Sequence, residues 1–467
     1  MNTRMMLFTA AFATVVAAGA QTQNGGITQD MLRTITSQQE LSQAQKALQN
    51  ALQTNGIENL AKGKAQLGAV PSQFSIETPK QSIMNQKSSG RCWMFSSLNV
   101  LRADFAAMKK DSTAVVEFSQ DYLFFWDQLE KANLMLQSII DTAKKDVNDA
   151  EVQWLFQSPL SDGGTFCGAV DLVAKYGLVP KSIVPETYSA ESTSQISRIL
   201  KSKLREYGLT LRKMISSGKK AVAVQAEKTN MLKEVYRILS MAYGEPVKSF
   251  TYAHVDKNGK QVGEEKTYTP QEFAKECGAV NLDTRYIMVM NDPRHEYGKV
   301  YEIEMDRHTY DGHNWRYLNL SMDDIEQLAI ASLKGGQKMY SSYDVGKFLD
   351  RKRGFASEQN FDYASLFQTS FPMTKAERLL THDSGSTHAM TLTAVDLGKD
   401  GKARTWKVEN SWGADSGQKG CLVMTDEWFR DYMFRLVVEK KYASAELLKM
   451  AEQKPVMLKY DDALFDE

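Results

Sequence analysis

Apolar residues return at helical spacing from Thr28 to Gly56, where Met31, Leu32, Ile35, Leu41, Leu48 and Leu52 predict a helix with a buried stripe ending at Gly56. After Cys92 the pattern repeats with Leu98, Leu101, Phe105 and Met108, small alanines standing between them. From Ser119 to Leu155 it is helical and rich in aromatics, the mark of core. A short helix from Ala169 to Tyr176 is stopped by Gly177, and Ile196–Tyr207 and Lys228–Met241 continue the helical period. Then the period shortens. Ser249 to Thr267 reads as a hairpin turning at Asp256-Lys257-Asn258-Gly259, and Thr269-Pro270-Gln271-Glu272 is a capping box with Pro at the first helical position. Tyr286–Met290 and Val300–Glu304 read as strands, Met322–Leu333 as a helix stopped by Gly335-Gly336. Thr391–Val395, Thr405–Val408 and Cys421–Met424 are strand-like again.

Length and charge bound the picture without deciding it. The 467 residues are two or three domains' worth of chain. Fifty-seven basic residues balance fifty-seven acidic ones, so no basic field exists for nucleic acid or an anionic membrane. Arg4, the apolar stretch Met5–Ala18 and the small residues Ala18-Gly19-Ala20 form the pattern of a secretory signal peptide over residues 1–20, too short for an ordinary membrane span. The expected location is periplasmic or secreted. Four cysteines in so long a chain are no disulfide framework.

One cysteine stands apart. In Gln86-Lys87-Ser88-Ser89-Gly90-Arg91-Cys92-Trp93, Gly90 permits a tight turn and Cys92 falls in the first turn of the following helix. Unpaired N–H groups and the helix dipole there favour thiolate over thiol. Gln86 could return its amide to share an oxyanion with the Cys92 N–H. A thiol nucleophile needs a distant His and Asn or Asp. His388 opens one C-terminal strand, and Asn410 follows another in Glu409-Asn410-Ser411-Trp412-Gly413. His382, the rival base, lies in a Gly/Ser-rich loop. His295, His308 and His313 are spaced too loosely for a metal site and are expected to be solvated.

Together Gln86…Gly90-Arg91-Cys92-Trp93, Thr387-His388-Ala389-Met390 and Asn410-Ser411-Trp412-Gly413 resemble the papain-like cysteine peptidases, most closely their bleomycin hydrolase / aminopeptidase C branch. Asp162-Gly163-Gly164, Lys175–Ser182, Asp344-Val345-Gly346-Lys347, Lys375–Leu379 and Met424–Phe429 carry the same look.

The resemblance implies an α+β, papain-like two-lobe fold. Simple papain-like enzymes place the His roughly 130–150 residues after the Cys, whereas 296 positions separate Cys92 from His388. A large inserted domain is therefore expected. The expected order is an N-terminal helical segment and connector (21–79), a helical lobe (80–190), the mostly helical insert with its hairpin (191–340), a β lobe (341–445) and a tail (446–467).

It further implies hydrolysis of peptides through an acyl-enzyme on Cys92, with His388 as acid and base, Asn410 orienting its ring, Trp412 shielding that bond and Gln86 at the oxyanion. Asp162, Gly163 and Gly164 would wall the substrate groove, an ordinary turn being the competing reading. The tail would lie in the groove, a carboxylate at Glu467 holding the substrate's ammonium group, and many members form homohexamers. The acidic ending Tyr460–Glu467 departs from the small, Ala-rich tail of the branch, so exo- and endopeptidase both stay open, as do an acyltransferase and a non-catalytic homologue. No cofactor, metal or nucleic acid is expected.

Overall fold

A computed structural model describes residues 25–37, 41–63, 68–109 and 113–465. The expected signal peptide and Glu467 lie outside the described residues. The chain forms two compact units, one ending at Leu60 and one beginning at Ala61. In the first, Thr28 caps the helix Gln29–Thr36, and Ser42 forms a capping box with Gln45 at the start of Gln43–Thr54. The expected single helix is thus divided, and its stripe is not buried: Met31, Leu32, Ile35 and Leu41 are exposed. Each piece carries only a few apolar residues among Gln, Asn and Thr, too few to close a core.

In the second unit helices form one layer. Ser119 accepts the Tyr122 N–H (3.1 Å) and starts the long helix Gln120–Asp141. Helices Ser194–Ser216 and Ala221–Tyr243 pack on it, burying Leu200, Leu204, Tyr207 and Leu211 from one and Val224, Met231, Val235 and Leu239 from the other. Both run beyond their expected ends because the apolar spacing continues past the polar stretches that mask it. Gly177, at φ +76°, ends Phe166–Tyr176, and a Cβ there would overlap the Pro270 carbonyl. The Thr269 capping box and Pro270 start their helix as expected. The hairpin is also present, Phe250–Tyr252 pairing antiparallel with Lys266–Tyr268.

The other layer is a twelve-stranded mixed sheet among the described residues. At its centre His388–Leu397 lies between Ala403–Glu409 and Met339–Tyr343, antiparallel to both. Beyond Met339–Tyr343 come Met433–Glu439 and then Tyr286–Met290. The expected boundary at residue 340 therefore does not fall at a break in the sheet. Within 191–340 the helices up to Arg285 pack on the helical layer, Met322–Lys334 packs on the sheet against Met433–Glu439 and His388–Leu397, and Tyr286–Met290, Val300–Ile303 and Arg316–Asn319 extend the sheet. Beneath the sheet Ile325, Trp406, Trp428 and Phe429 form a second core.

The helix Cys92–Met108 joins the layers. Trp93, Met94, Phe95, Leu98, Leu101 and Phe105 are buried around it, and it packs against His388–Leu397. Met108, expected on its buried stripe, is exposed. A helix apolar on nearly every side can sit between two layers, and here that brings its first residue to the first residue of a strand nearly three hundred positions away.

Candidate active site

The loop before Cys92 is held from below by buried charge. Arg91 is wholly buried, donates to Glu186 (2.6 Å) and lies 5.3 Å over the rings of both Phe95 and Phe124. A buried ion pair this well enclosed fixes a register, because loss of either partner leaves a charge without water. Cys92 follows at the helix start, where no side chain caps the first amides. Gln86 is buried and clamped, its Oε1 accepting the Ser411 hydroxyl (2.5 Å) and its Nε2 donating to the Ser89 carbonyl (2.6 Å). An amide has two Nε2 protons, so one remains for an oxyanion.

Across the cleft, His388 donates from Nε2 to Asn410 Oδ1 at 2.8 Å. The indole of Trp412 stacks on the imidazole, centroids 5.0 Å apart, and covers that bond. The next backbone N–H, that of Ala389, points at the Cys92 sulfur (3.4 Å). The four residues expected to do chemistry are thus brought together, and His388 Nδ1 is the ring nitrogen left for the sulfur. Burial pushes the imidazole pKa down to about 4, the Asn410 bond opposing this and the positive charge of Arg351 adding to it. Only an anion beside the ring reverses that balance, and a Cys92 thiolate would stand there. Of the other thiols, burial raises the pKa of Cys167, Cys277 and Cys421. No disulfide joins any of the four, and Cys92 is only half-buried. His382 lies exposed at the cleft rim, at φ +57°.

Asp162, Gly163 and Gly164 line the same cavity of about 690 Å³ as Cys92 and His388. Asp162 does more than line it. Its Oδ2 accepts the Gly90 N–H at 2.7 Å and the Thr193 hydroxyl, and its carbonyl accepts Trp93 Nε1–H at 2.9 Å.

Behind this wall lies a cluster the sequence reading missed. His308, expected to be solvated, is buried: its Nδ1–H donates to Asp127 Oδ1 (2.6 Å) and its Nε2 accepts the Thr165 N–H (3.2 Å). Those roles make it a neutral imidazole. Its ring meets Trp93 edge-on at 4.5 Å, and Lys131 ties Asp127 (3.1 Å) to the Gly163 carbonyl (2.6 Å). A Cβ on Gly164 would overlap the His308 ring. Nothing near His308 in the chain announces this, since its partners come from residues 127 to 165. His313 is exposed beside Asp171, whereas His295, also expected to be solvated, is half-buried beside Asp292 with its ring stacked on Tyr301 and its Nε2 out of water.

The tail enters this cavity. After Val456–Leu458 pairs in parallel with Val300–Ile303, Tyr460 and Phe465 pack on Trp154 at 5.0 and 5.2 Å. Asp462 accepts from Arg294 (2.8 Å), and Leu464 is fully buried. Asp461 stays exposed and lines the cavity.

Comparison with known proteins agrees with this geometry. The Peptidase C1-like family model matches residues 26–465. The chain belongs to that family. It is 38% identical to aminopeptidase G of Lactobacillus delbrueckii subsp. lactis, covering 90% of this chain and 94% of that one. It is 37% identical to human bleomycin hydrolase, covering 93% and 92%. The crystal structure of PepW from Lactobacillus rhamnosis HN001 superposes with a TM-score of 0.88 at 37% identity, covering 94% of this chain and 99% of that one. The chain is a cysteine peptidase of α+β, papain-like fold.

Proposed function

We propose that this cysteine peptidase is an aminopeptidase, releasing N-terminal residues from peptides that enter the cleft free-amine end first. One observation carries the reading: the segment Tyr460–Phe465 occupies the cleft beside Cys92 and presents Asp461 there. A carboxylate-bearing tail attracts an ammonium group and obstructs a chain running on past it, so the substrate's first residue is placed at the sulfur. Two relatives named aminopeptidase, G and C, support it.

In the reaction Cys92 Sγ, as thiolate, adds to the carbonyl carbon of the scissile bond. The Cys92 N–H and the remaining Gln86 Nε2 proton stabilise the oxyanion. His388 passes a proton to the leaving amine, giving an acyl-enzyme, and then takes one from the water that hydrolyses the thioester. Asn410 keeps the ring oriented throughout. Trp412 excludes water from that hydrogen bond, and Asp162, Gly163 and Gly164 wall the acyl portion.

The test compares aminoacyl-fluorophores bearing a free amine with their N-acylated forms, Cys92→Ala serving as control. Free-amine substrates are expected to dominate, and deleting 461–467 is expected to raise cleavage of the blocked ones. An unchanged ratio after deletion rejects the tail as the ruler. Export, supported by the Met5–Ala18 pattern, and a homohexamer, supported by the family resemblance, belong to the same proposal. Fractionation of expressing cells and sedimentation of the purified protein test them.

A further inference from the structure

The Cys92–His388 pair divides the cleft. On one side stand the tail and the Asp162–Gly164 wall, where the acyl portion lies on the aminopeptidase reading, on which this inference rests. The departing amine takes its proton from His388, so the leaving peptide passes over the imidazole and the indole stacked on it. Trp412 is covered in turn. The guanidinium of Arg351 lies 5.0 Å from the centroid of the indole ring, the same separation as that between the indole and the imidazole.

Arg351 is exposed in the turn between the short strands Leu349–Asp350 and Phe355–Ala356, and no carboxylate among the described residues lies within ion-pair distance of it. A guanidinium presents five donors and matches a carboxylate two-pronged, while its flat face can stay on an aromatic ring. Its charge already reaches the catalytic ring, being one of the influences on His388.

We infer that Arg351 is a specificity-determining residue that receives a carboxylate on the leaving side, about two residues beyond the scissile bond. The reach follows from chain geometry. Extended residues advance roughly 3.3–3.6 Å each, so two of them span about 7 Å. The guanidinium stands no more than about 10 Å from the imidazole, at the end of a flexible side chain. Four leaving residues, about 13–14 Å, overshoot that limit. The carboxylate is either the C-terminus of a tripeptide or an Asp or Glu side chain at that position of a longer peptide. The enzyme would then favour short peptides with free C-termini, the products of endopeptidases.

The experiment measures kcat/KM at low salt for a free-amine tripeptide acid and its C-terminal amide. It does the same for a free-amine hexapeptide amide with Asp or Asn at the second leaving position. Each pair is run on the wild type, Arg351→Gln and Arg351→Glu. An exposed charge pair predicts an acid-over-amide preference of about three- to fivefold, fading as salt rises. The preference is expected to fall to about one in Arg351→Gln and to invert in Arg351→Glu. The tripeptide pair reads the terminal carboxylate and the hexapeptide pair the side chain, and a preference in either supports the assignment. No preference in the wild type, or one that survives in Arg351→Gln, overturns it. N-acetylated versions of all four peptides are run alongside. If only these are cleaved, the aminopeptidase reading fails separately, and their acid-to-amide ratio still decides for or against Arg351.

Discussion

The backbone N–H of Gly90 points into the carboxylate of Asp162, 2.7 Å away and 72 positions further along the chain. That bond ties the turn before the nucleophile to the wall of the groove, so the sulfur and the surface that aligns its substrate cannot drift apart independently. Charge-assisted bonds of this kind are worth about 1.5–3 kcal/mol. Asp162→Ala is therefore expected to lower kcat/KM roughly ten- to a hundredfold and to lower the melting temperature as well, because the Gly90 N–H and the Thr193 hydroxyl both lose their acceptor. Asp162→Asn keeps an acceptor oxygen and recovers part of the loss. Steady-state kinetics beside thermal melts would check this; equal losses in both variants would leave the bond without a role in positioning.

The ionic state of the catalytic pair can be read at the ring. Burial, with Arg351 acting the same way and Asn410 against it, holds the His388 imidazole at about 4 when no anion is beside it. In Cys92→Ala the ring should therefore stay neutral down to about pH 4. In the wild type the thiolate should keep it charged near neutral pH. Histidine nitrogen shifts by NMR distinguish the two, and identical titrations in both proteins would reject the thiolate–imidazolium pair. The Cys92→Ala protein should also gain stability as pH rises from about 4 to about 6.5, because across that window the unfolded chain holds a proton that the folded ring does not.

Orientation of the ring is a separate matter. Asn410→Ala removes the acceptor of the 2.8 Å bond from Nε2. The thiol and the base remain, yet the ring loses the contact that points Nδ1 at the sulfur. A loss in kcat of about 10²–10⁴ is expected, by comparison with orienting groups in hydrolase triads. KM should change little. A loss confined to KM would show that Asn410 shapes binding instead.

Gly164 tests the buried cluster behind the groove. A methyl group there overlaps His308 and crowds Trp93, so Gly164→Ala is expected to destabilise the protein by about 1–3 kcal/mol. His308→Ala removes the partner of Asp127 Oδ1 and of the Thr165 N–H and also destabilises, yet it opens the room the methyl group needs. The double variant should cost less than the two singles together. Urea midpoints check this, and strict additivity would mean the two residues do not share that space.

Stability should also carry the mark of Asp121. Burial, with the nearby Glu186 charge adding to it, raises its pKa to about 7, against the pull of Arg91. The folded protein therefore holds a proton there that the unfolded chain releases above about pH 3.9. The sign follows: this group's contribution is fully present at acid pH and is lost as pH climbs towards and through about 7. Asp121→Asn should raise the melting temperature relative to wild type more at pH 8 than at pH 5. A pH-independent difference would show that the carboxyl does not titrate in this range.

Local order was legible along the chain. Gly177 ends its helix because its φ is positive, Thr269 and Glu272 close a capping box, and Cys92 opens a helix whose apolar residues face every way. The catalytic types could be picked out too, since a thiol at a helix start and a histidine at a strand start are features of short stretches. Contacts between distant stretches were not. No pattern near His308 says that Asp127 and Thr165 will bury it, and nothing in Asp162 says that its carboxylate will hold Gly90. The N-terminal stripe had the right spacing and still lies exposed, because periodicity names a face without naming what covers it. Spacing in the chain thus determined most of the elements that form and picked out the side chains proposed to carry chemistry. Packing decided which charges are buried, which glycines admit no methyl group and which cation lies over Trp412, because those depend on neighbours that only the folded chain brings within reach.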